Sequence, residues 1–155
     1  MIIAFAGHSF VSSRNEINEI KEMVKEQIRH YISDERSVAC YLGGYGEFDE
    51  LCASACRELK QEHAGIKVIY VSPYMTPSEQ AKIKDMQKYG LYDSSIYPPI
   101  ENVPLRLAIL KRNEWMMTVA DLVIVYINHG YGGAYKSLQA AKRKKKKIIN
   151  LCDFL

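Results

Sequence analysis

The sequence predicts an α/β protein whose core is a doubly wound parallel sheet of about five strands, with helices on both faces. Short apolar runs alternate along the 155-residue chain with longer segments whose apolar residues recur at helical spacing. Two glycine segments each join an apolar run to a helical segment, as is typical of turns in parallel sheets. Because 48% of the residues are hydrophobic, the chain can bury one sizeable core. We therefore expect a single domain over residues 1–155.

The first half of the chain predicts three strands and two helices. Ile20, Val24 and Ile28 give the first helix an apolar stripe that docks it on the sheet. Ser13 and Glu16 form a capping box at its start. The predicted elements are a strand at 2–6, a helix at 14–32, a strand at 38–42, a helix at 48–62 and a strand at 66–71.

The stretch 72–104 interrupts this alternation, because it contains all five prolines of the chain. We interpret it as a long crossover, with a short helix near 78–89, that carries the chain to the other side of the first strand. The elements after it are a helix at 105–119, a strand at 121–127, a helix at 134–144 and a strand at 147–151. The resulting strand order is 3-2-1-4-5. Ligands bind such sheets at the carboxyl ends of the strands, where the order reverses.

Charge and cysteine content indicate which partners, location and cofactors to expect for this chain. Most of the net charge of +3 comes from the basic run 142–147, which we interpret as a solvated helix end. The run has no interleaved aromatic residues, so a nucleic-acid partner is not favoured. The apolar segment 1–6 is too short for a signal peptide or a membrane span, and we expect a cytoplasmic protein. The four cysteines form no CxxC pair, and no metal or other cofactor is expected.

The two glycine segments, 43–46 and 130–133, predict an anion site. A glycine loop that leads into a helix presents free N–H groups and the positive end of the helix dipole to a phosphate. Glycines at such turns also serve positive φ and close packing. The segments lack both the GKS or GKT ending of a P-loop and the GxGxxG fingerprint of dehydrogenases. The residues expected to hold the phosphate are Gly43, Gly44, Gly46, Gly132 and Gly133.

Residues 43–50, GGYGEFDE, resemble the PGGxGTxxE motif of the LOG phosphoribohydrolases, also called lysine decarboxylase-like proteins. Segments 110–116 and 120–125, with the second glycine segment, are similar to the second half of the wider SLOG superfamily. That superfamily also includes the DprA and YpsA groups. The resemblance covers nearly the whole chain and implies a Rossmann-like fold and a nucleotide or nucleotide-derived ligand.

The resemblance also implies roles for two residues as catalytic groups. Glu50 lies where the LOG enzymes place the carboxylate that assists cleavage of the N-glycosidic bond, and Arg112 matches their conserved-motif arginine. The chain departs from the motifs at Leu42, Glu47 and Asn113, which replace a proline, a threonine and a lysine. Glu47 would repel a monophosphate at that point, which argues against the LOG activity itself. Because the two glycine segments come without a complete catalytic set, we favour a sensor or binding module. A nucleotide N-glycoside hydrolase or transferase and a DprA-like nucleic-acid binder are the alternatives.

Arg112 lies on an apolar helical stripe, so its charge should be buried and must be paired. Its partner is either an acid, such as Asp49, Glu50 or Asp121, or an anionic ligand. We interpret Asp49 and Glu47 mainly as acids that stabilise the start of a helix. Helices that flank a small sheet also allow a homodimer. The other candidate ligand-binding residues are Gly7, His8, Ser9, Tyr45, Glu47, Pro73, Tyr74 and Asn113.

Overall fold

The computed structural model describes residues 1–8, 13–32 and 37–155. These residues form six strands and five α-helices. The strands are β1 (Ile2–Gly7), β2 (Val38–Leu42), β3 (Ile66–Val71), β4 (Ser94–Ile96), β5 (Leu122–Tyr126) and β6 (Lys147–Asn150). The helices are α1 (Arg14–Tyr31), α2 (Glu47–Glu62), α3 (Pro77–Lys88), α4 (Ala108–Val119) and α5 (Gly133–Arg143). Short 3-10 turns at Leu105–Leu107 and Leu151–Phe154 precede α4 and follow β6.

The strands form one parallel sheet in the order β4-β3-β2-β1-β5-β6, which confirms the predicted doubly wound α/β class. Five strands follow the predicted order, and β4 is an additional edge strand. β4 has only three residues and lies inside the proline-rich crossover, so the sequence contains no apolar run that predicts it. β1 lies between β2 and β5, where the direction of winding reverses. The loops after these strands meet at the carboxyl edge of the sheet.

Alternate residues of β1 face two separate layers of core. Ile3 and Phe5 pack in a cluster with the buried side chains of α1 and α2, while Ala4 and Ala6 pack with those of α4 and α5. This alternation follows from the two-residue period of a strand. Helices therefore cover both faces of the sheet, and the helices that start at its carboxyl edge aim their N-terminal ends toward the same region.

The predicted cap at the start of α1 is also confirmed. The Ser13 hydroxyl accepts a hydrogen bond from the Glu16 N–H at 3.2 Å and caps α1. Cys40, Cys52 and Cys56 are buried as small apolar groups, and the pKa of the Cys52 thiol is raised by its burial. Within the described ranges, none of the helices combines the length and the apolar character needed to span a membrane.

The basic run lies far from the glycine segments. Helix α5 starts at the carboxyl edge of the sheet and ends at Arg143, and β6 then starts at Lys147 on the amino edge. Lys142, Arg143 and Lys144 are exposed, as expected for a solvated helix end. The run and the glycine segments are therefore on opposite edges of the sheet.

Candidate functional site

A cleft of about 130 Å³ lies at the carboxyl edge of the sheet, between the end of β1 and the starts of α2 and α5. Pockets that enclose whole small molecules usually have volumes of roughly 300–1,000 Å³. This cleft is large enough for one chemical group, such as a phosphate, but not for a complete nucleotide. The residues that give the cleft its chemistry are Gly7, Tyr45, Asp49, Arg112, Asn113, Gly133 and Ser137.

Arg112, on α4, supplies the positive charge of the cleft. Its side chain is 1% exposed, as the apolar stripe predicted. Nη1 donates to the carbonyl oxygens of Val71 and Gly43 at 2.7 and 3.0 Å, and Nε donates to Asn113 Oδ1 at 2.8 Å. Burial lowers the pKa of Arg112, although a guanidinium remains charged in proteins.

The acids considered as partners of Arg112 do not contact it directly. Asp121 lies at the amino edge of the sheet, where its Oδ2 accepts a hydrogen bond from the Ile2 N–H at 2.7 Å. Asp49 lines the same cleft as Arg112, but no carboxylate among the described residues lies within 4.0 Å of the guanidinium. Among the described residues, no atom accepts a hydrogen bond from Nη2 of Arg112. The buried charge is thus held by two carbonyl groups and an amide oxygen.

The first glycine segment allows Arg112 to approach the backbone. A Cβ atom at Gly43 would lie 3.0 Å from the Cζ atom of Arg112, so a larger residue would push against the guanidinium that contacts the main chain here. Gly44 has a φ of 71°, and a Cβ there would lie 2.5 Å from the buried ring of Tyr70. Packing and backbone conformation therefore both require glycine here. Gly46 and Gly132 are the N-cap residues of α2 and α5, and neither helix has a side-chain cap.

Asp49 lies in the first turn of α2, as expected for an acid that stabilises the start of a helix. It also lines the cleft with Arg112, although it was not among the residues predicted to bind ligand. Its Oδ2 accepts a hydrogen bond from the Tyr45 N–H at 3.1 Å. Burial raises the pKa of Asp49 to about 6, although this hydrogen bond and Arg112 oppose the rise. The cleft therefore combines a permanent cation with a carboxyl group that titrates near neutral pH.

Glu50 lies outside this cleft. Its side chain is exposed and lines a neighbouring groove of about 530 Å³ with Ile17, Gly44, Gly46 and Glu47. Successive residues of a helix differ by about 100° in direction, which separates Glu50 from Asp49. The two residues that the resemblance implies as catalytic, Glu50 and Arg112, therefore line different depressions.

Pro73 and Tyr74 follow β3 at the same edge of the sheet but do not line the cleft with Arg112. Pro73 is buried and Tyr74 is half-buried. Tyr74 lines a depression of about 660 Å³ between α3 and β4. The Ser72 hydroxyl donates to the Tyr74 carbonyl at 2.8 Å and shapes this turn. The sheet edge thus has at least three separate depressions.

His8 follows β1 and contacts the loop after β5, just before the second glycine segment. Its Nε2 accepts a hydrogen bond from the Asn128 N–H at 3.0 Å, and its ring stacks on His129. Burial, and to a smaller extent His129, lower the pKa of His8. Ser9, also predicted to bind ligand, lies outside the described residues. Across the part of the chain that is described, no group of three His, Cys, Asp or Glu side chains is arranged to hold a metal ion.

No protein-family model matches this sequence, and no curated protein matches it either. Solved structures do match. DNA processing protein A (DprA) from Streptococcus pneumoniae aligns over 94% of this chain with 19% identity and a TM-score of 0.61. DprA from Helicobacter pylori, described with its single-stranded DNA binding mode, aligns over 96% with 17% identity and a TM-score of 0.57. TM1055, a structural genomics target, aligns over 95% with 15% identity and a TM-score of 0.56.

At these identities the likeness shows the fold. The chain spans 48% of the pneumococcal DprA structure, 63% of the Helicobacter DprA structure and 71% of TM1055. The chain therefore shares a Rossmann-like α/β fold with these structures over nearly the whole of its length.

Proposed function

We propose that this protein binds a nucleotide or a nucleotide-derived ligand, with one phosphate in the cleft beside Arg112, and acts as a sensor or binding module. The observation that carries the proposal is the buried Arg112 guanidinium, which has no carboxylate in direct contact among the described residues and one nitrogen, Nη2, without an acceptor. A buried charge is costly unless it is paired. The planar fork of arginine matches phosphate oxygens in a bidentate arrangement.

The start of α5 supplies a second attraction for a phosphate. Gly133 and Ala134 line the same cleft as Arg112, in the first turn of the helix. The N–H groups of a first turn have no partners within the helix, and the helix dipole favours negative charge there. A phosphate in the cleft would therefore meet both a guanidinium and backbone N–H groups.

The small volume of the cleft places the rest of the ligand outside it. Tyr45 and Ile109, which line the cleft, are 41% and 38% exposed and form part of its rim. The Cζ atom of Arg112 lies 5.4 Å from the centre of the Tyr45 ring, so this ring is already held against the cation. The sugar of a nucleotide would extend over this rim and carry the base outside the cleft.

Calorimetric titration with AMP, ribose 5-phosphate and adenosine tests the proposal. We expect AMP and ribose 5-phosphate to bind, and adenosine to bind at least roughly tenfold more weakly, because charge-assisted hydrogen bonds to the phosphate would be lost. Equal affinity for AMP and adenosine would contradict a phosphate site in the cleft.

The alternative of N-glycosidic hydrolysis is favoured by Asp49, since a carboxyl group with a pKa of about 6 is suited to general acid or base catalysis. Glu50 is the carboxylate that the motif implies. Under this alternative, incubation with AMP should release adenine, as measured by liquid chromatography. If Glu50→Ala still binds AMP but no longer releases adenine, Glu50 is the catalytic carboxylate. If only Asp49→Asn loses adenine release, Asp49 has that role. If the wild-type protein releases no adenine, the binding module stands.

Single-stranded DNA is a further candidate ligand, because DprA from Helicobacter pylori is described as binding it. The basic run lies at the opposite edge of the sheet from the cleft. A strand held by that run alone would leave AMP binding unchanged, whereas a strand with a phosphate in the cleft would compete with AMP. Oligothymidylate added during the AMP titration distinguishes these arrangements.

A further inference from the structure

We propose that the exposed face of Tyr131 is a stacking platform for the base of the nucleotide whose phosphate occupies the Arg112 cleft. This inference rests on the proposed function and adds to it the residue that recognises the base. It is carried by a stack of three aromatic rings at the carboxyl edge of the sheet, formed by His8, His129 and Tyr131.

The three rings form a continuous ladder. The ring centroids of His8 and His129 lie 3.4 Å apart with an angle of 11° between their planes. Those of His129 and Tyr131 lie 3.8 Å apart with an angle of 21°. Tyr131 ends the ladder and is 71% exposed. One face of the Tyr131 ring is therefore covered by His129, and the other is open to a flat ligand.

The ladder is fixed to the sheet at its inner end. The Asn128 N–H donates to His8 Nε2 at 3.0 Å, which joins the loop after β5 to the end of β1. His129 Nδ1 is buried and has no hydrogen-bond partner among the described residues, so this imidazole contributes mainly its two faces. A ring that is already held in place loses little conformational freedom when a base stacks on it.

The platform lies within reach of the phosphate site. Tyr131 precedes Gly133, which lines the cleft, by two residues, so their Cα atoms are at most about 7 Å apart. The ribose of a nucleoside 5′-monophosphate bridges a comparable distance between its phosphate and its base. An exposed aromatic face favours a heterocycle, since every base presents a π-face to stack on.

Substitution of Tyr131 tests the platform with AMP and ribose 5-phosphate as the two probes. Loss of stacking on one aromatic ring weakens binding of a base by roughly 5- to 150-fold. We therefore expect Tyr131→Ala to weaken AMP binding by at least about fivefold, to leave ribose 5-phosphate binding unchanged, and Tyr131→Phe to retain the wild-type affinity for AMP. His129→Ala should reduce AMP affinity by a smaller factor, because the ring of Tyr131 then loses its support.

Tyr89→Ala is the matched control. Tyr89 is 72% exposed, like Tyr131, but follows α3 at the opposite edge of the sheet. If Tyr131→Ala binds AMP as tightly as the wild-type protein while ribose 5-phosphate still binds both, the platform is wrong and the phosphate site stands. If the wild-type protein binds neither compound, the proposed function fails and the platform fails with it.

Discussion

Replacing Arg112 with methionine is expected to weaken AMP binding by roughly 30-fold or more, because truncation of a buried charged partner usually costs at least about 2 kcal/mol. Arg112 would contribute the only side-chain cation in the lining of the cleft among the described residues. The variant should still fold. Methionine fills much of the same volume, and removal of a buried charge offsets the cost of leaving the carbonyl groups of Gly43 and Val71 unpaired.

Two further variants make this result specific. Arg112→Lys keeps the charge, but a single ammonium group cannot replace a planar fork that contacts Gly43, Val71 and a phosphate, so affinity should fall to an intermediate value. Arg106→Met removes an exposed arginine from the turn before α4 and should bind AMP normally. Folded Arg112→Met protein that binds AMP like the wild type in calorimetry would contradict the assigned role of the guanidinium.

Asp49→Asn is expected to stabilise the protein above pH 6 by up to about 3 kcal/mol, because asparagine avoids the cost of ionising a carboxyl group that burial keeps protonated to higher pH. Burial raises the pKa of Asp49 from 3.8 to about 6, so the folded state binds a proton that the unfolded state releases. The wild-type protein should therefore lose stability as pH rises from about 4 to 6. Asparagine stays neutral and can still accept the hydrogen bond from the Tyr45 N–H.

Urea unfolding at several values between pH 4 and 8 measures this effect. Glu50→Gln serves as the control, because it removes an exposed carboxylate from the same helical turn. The free energies of unfolding of Asp49→Asn and the wild-type protein should agree near pH 4 and diverge as pH rises. Parallel pH profiles for the two proteins would show that Asp49 is not buried in the way described.

The alternation of apolar runs and helical stripes predicted most of the fold, because parallel strands buried on both faces are continuous apolar segments. The strand β4 could not be predicted in this way. Its residues Ser94–Ile96 lie in a proline-rich stretch and are exposed or half-buried at the edge of the sheet. What defines β4 is its pairing with β3, a contact between distant parts of the chain that local sequence does not encode.

The site could likewise be predicted only in part, because some of its features depend on contacts between distant parts of the chain. Helical spacing predicted that Arg112 is buried, but the helix expected over 105–119 begins only at Ala108, because the chain forms a 3-10 turn at Leu105–Leu107. The interpretation of Asp49 needed the direction of the first turn of α2 relative to α4, which depends on how the helices pack on the sheet. Spacing along the chain cannot distinguish Asp49 from Glu50 in this respect.

The most direct test of a phosphate site in the Arg112 cleft is an NMR titration of ¹⁵N-labelled protein with AMP and, separately, with adenosine. The backbone amide signals of Gly133 and Ala134 and the Nε–Hε signal of Arg112 report on the two sides of the cleft. We expect all three signals to shift in a saturable manner with AMP and to remain in place with adenosine. Saturable AMP binding that leaves these three signals unchanged and shifts signals elsewhere would contradict the account.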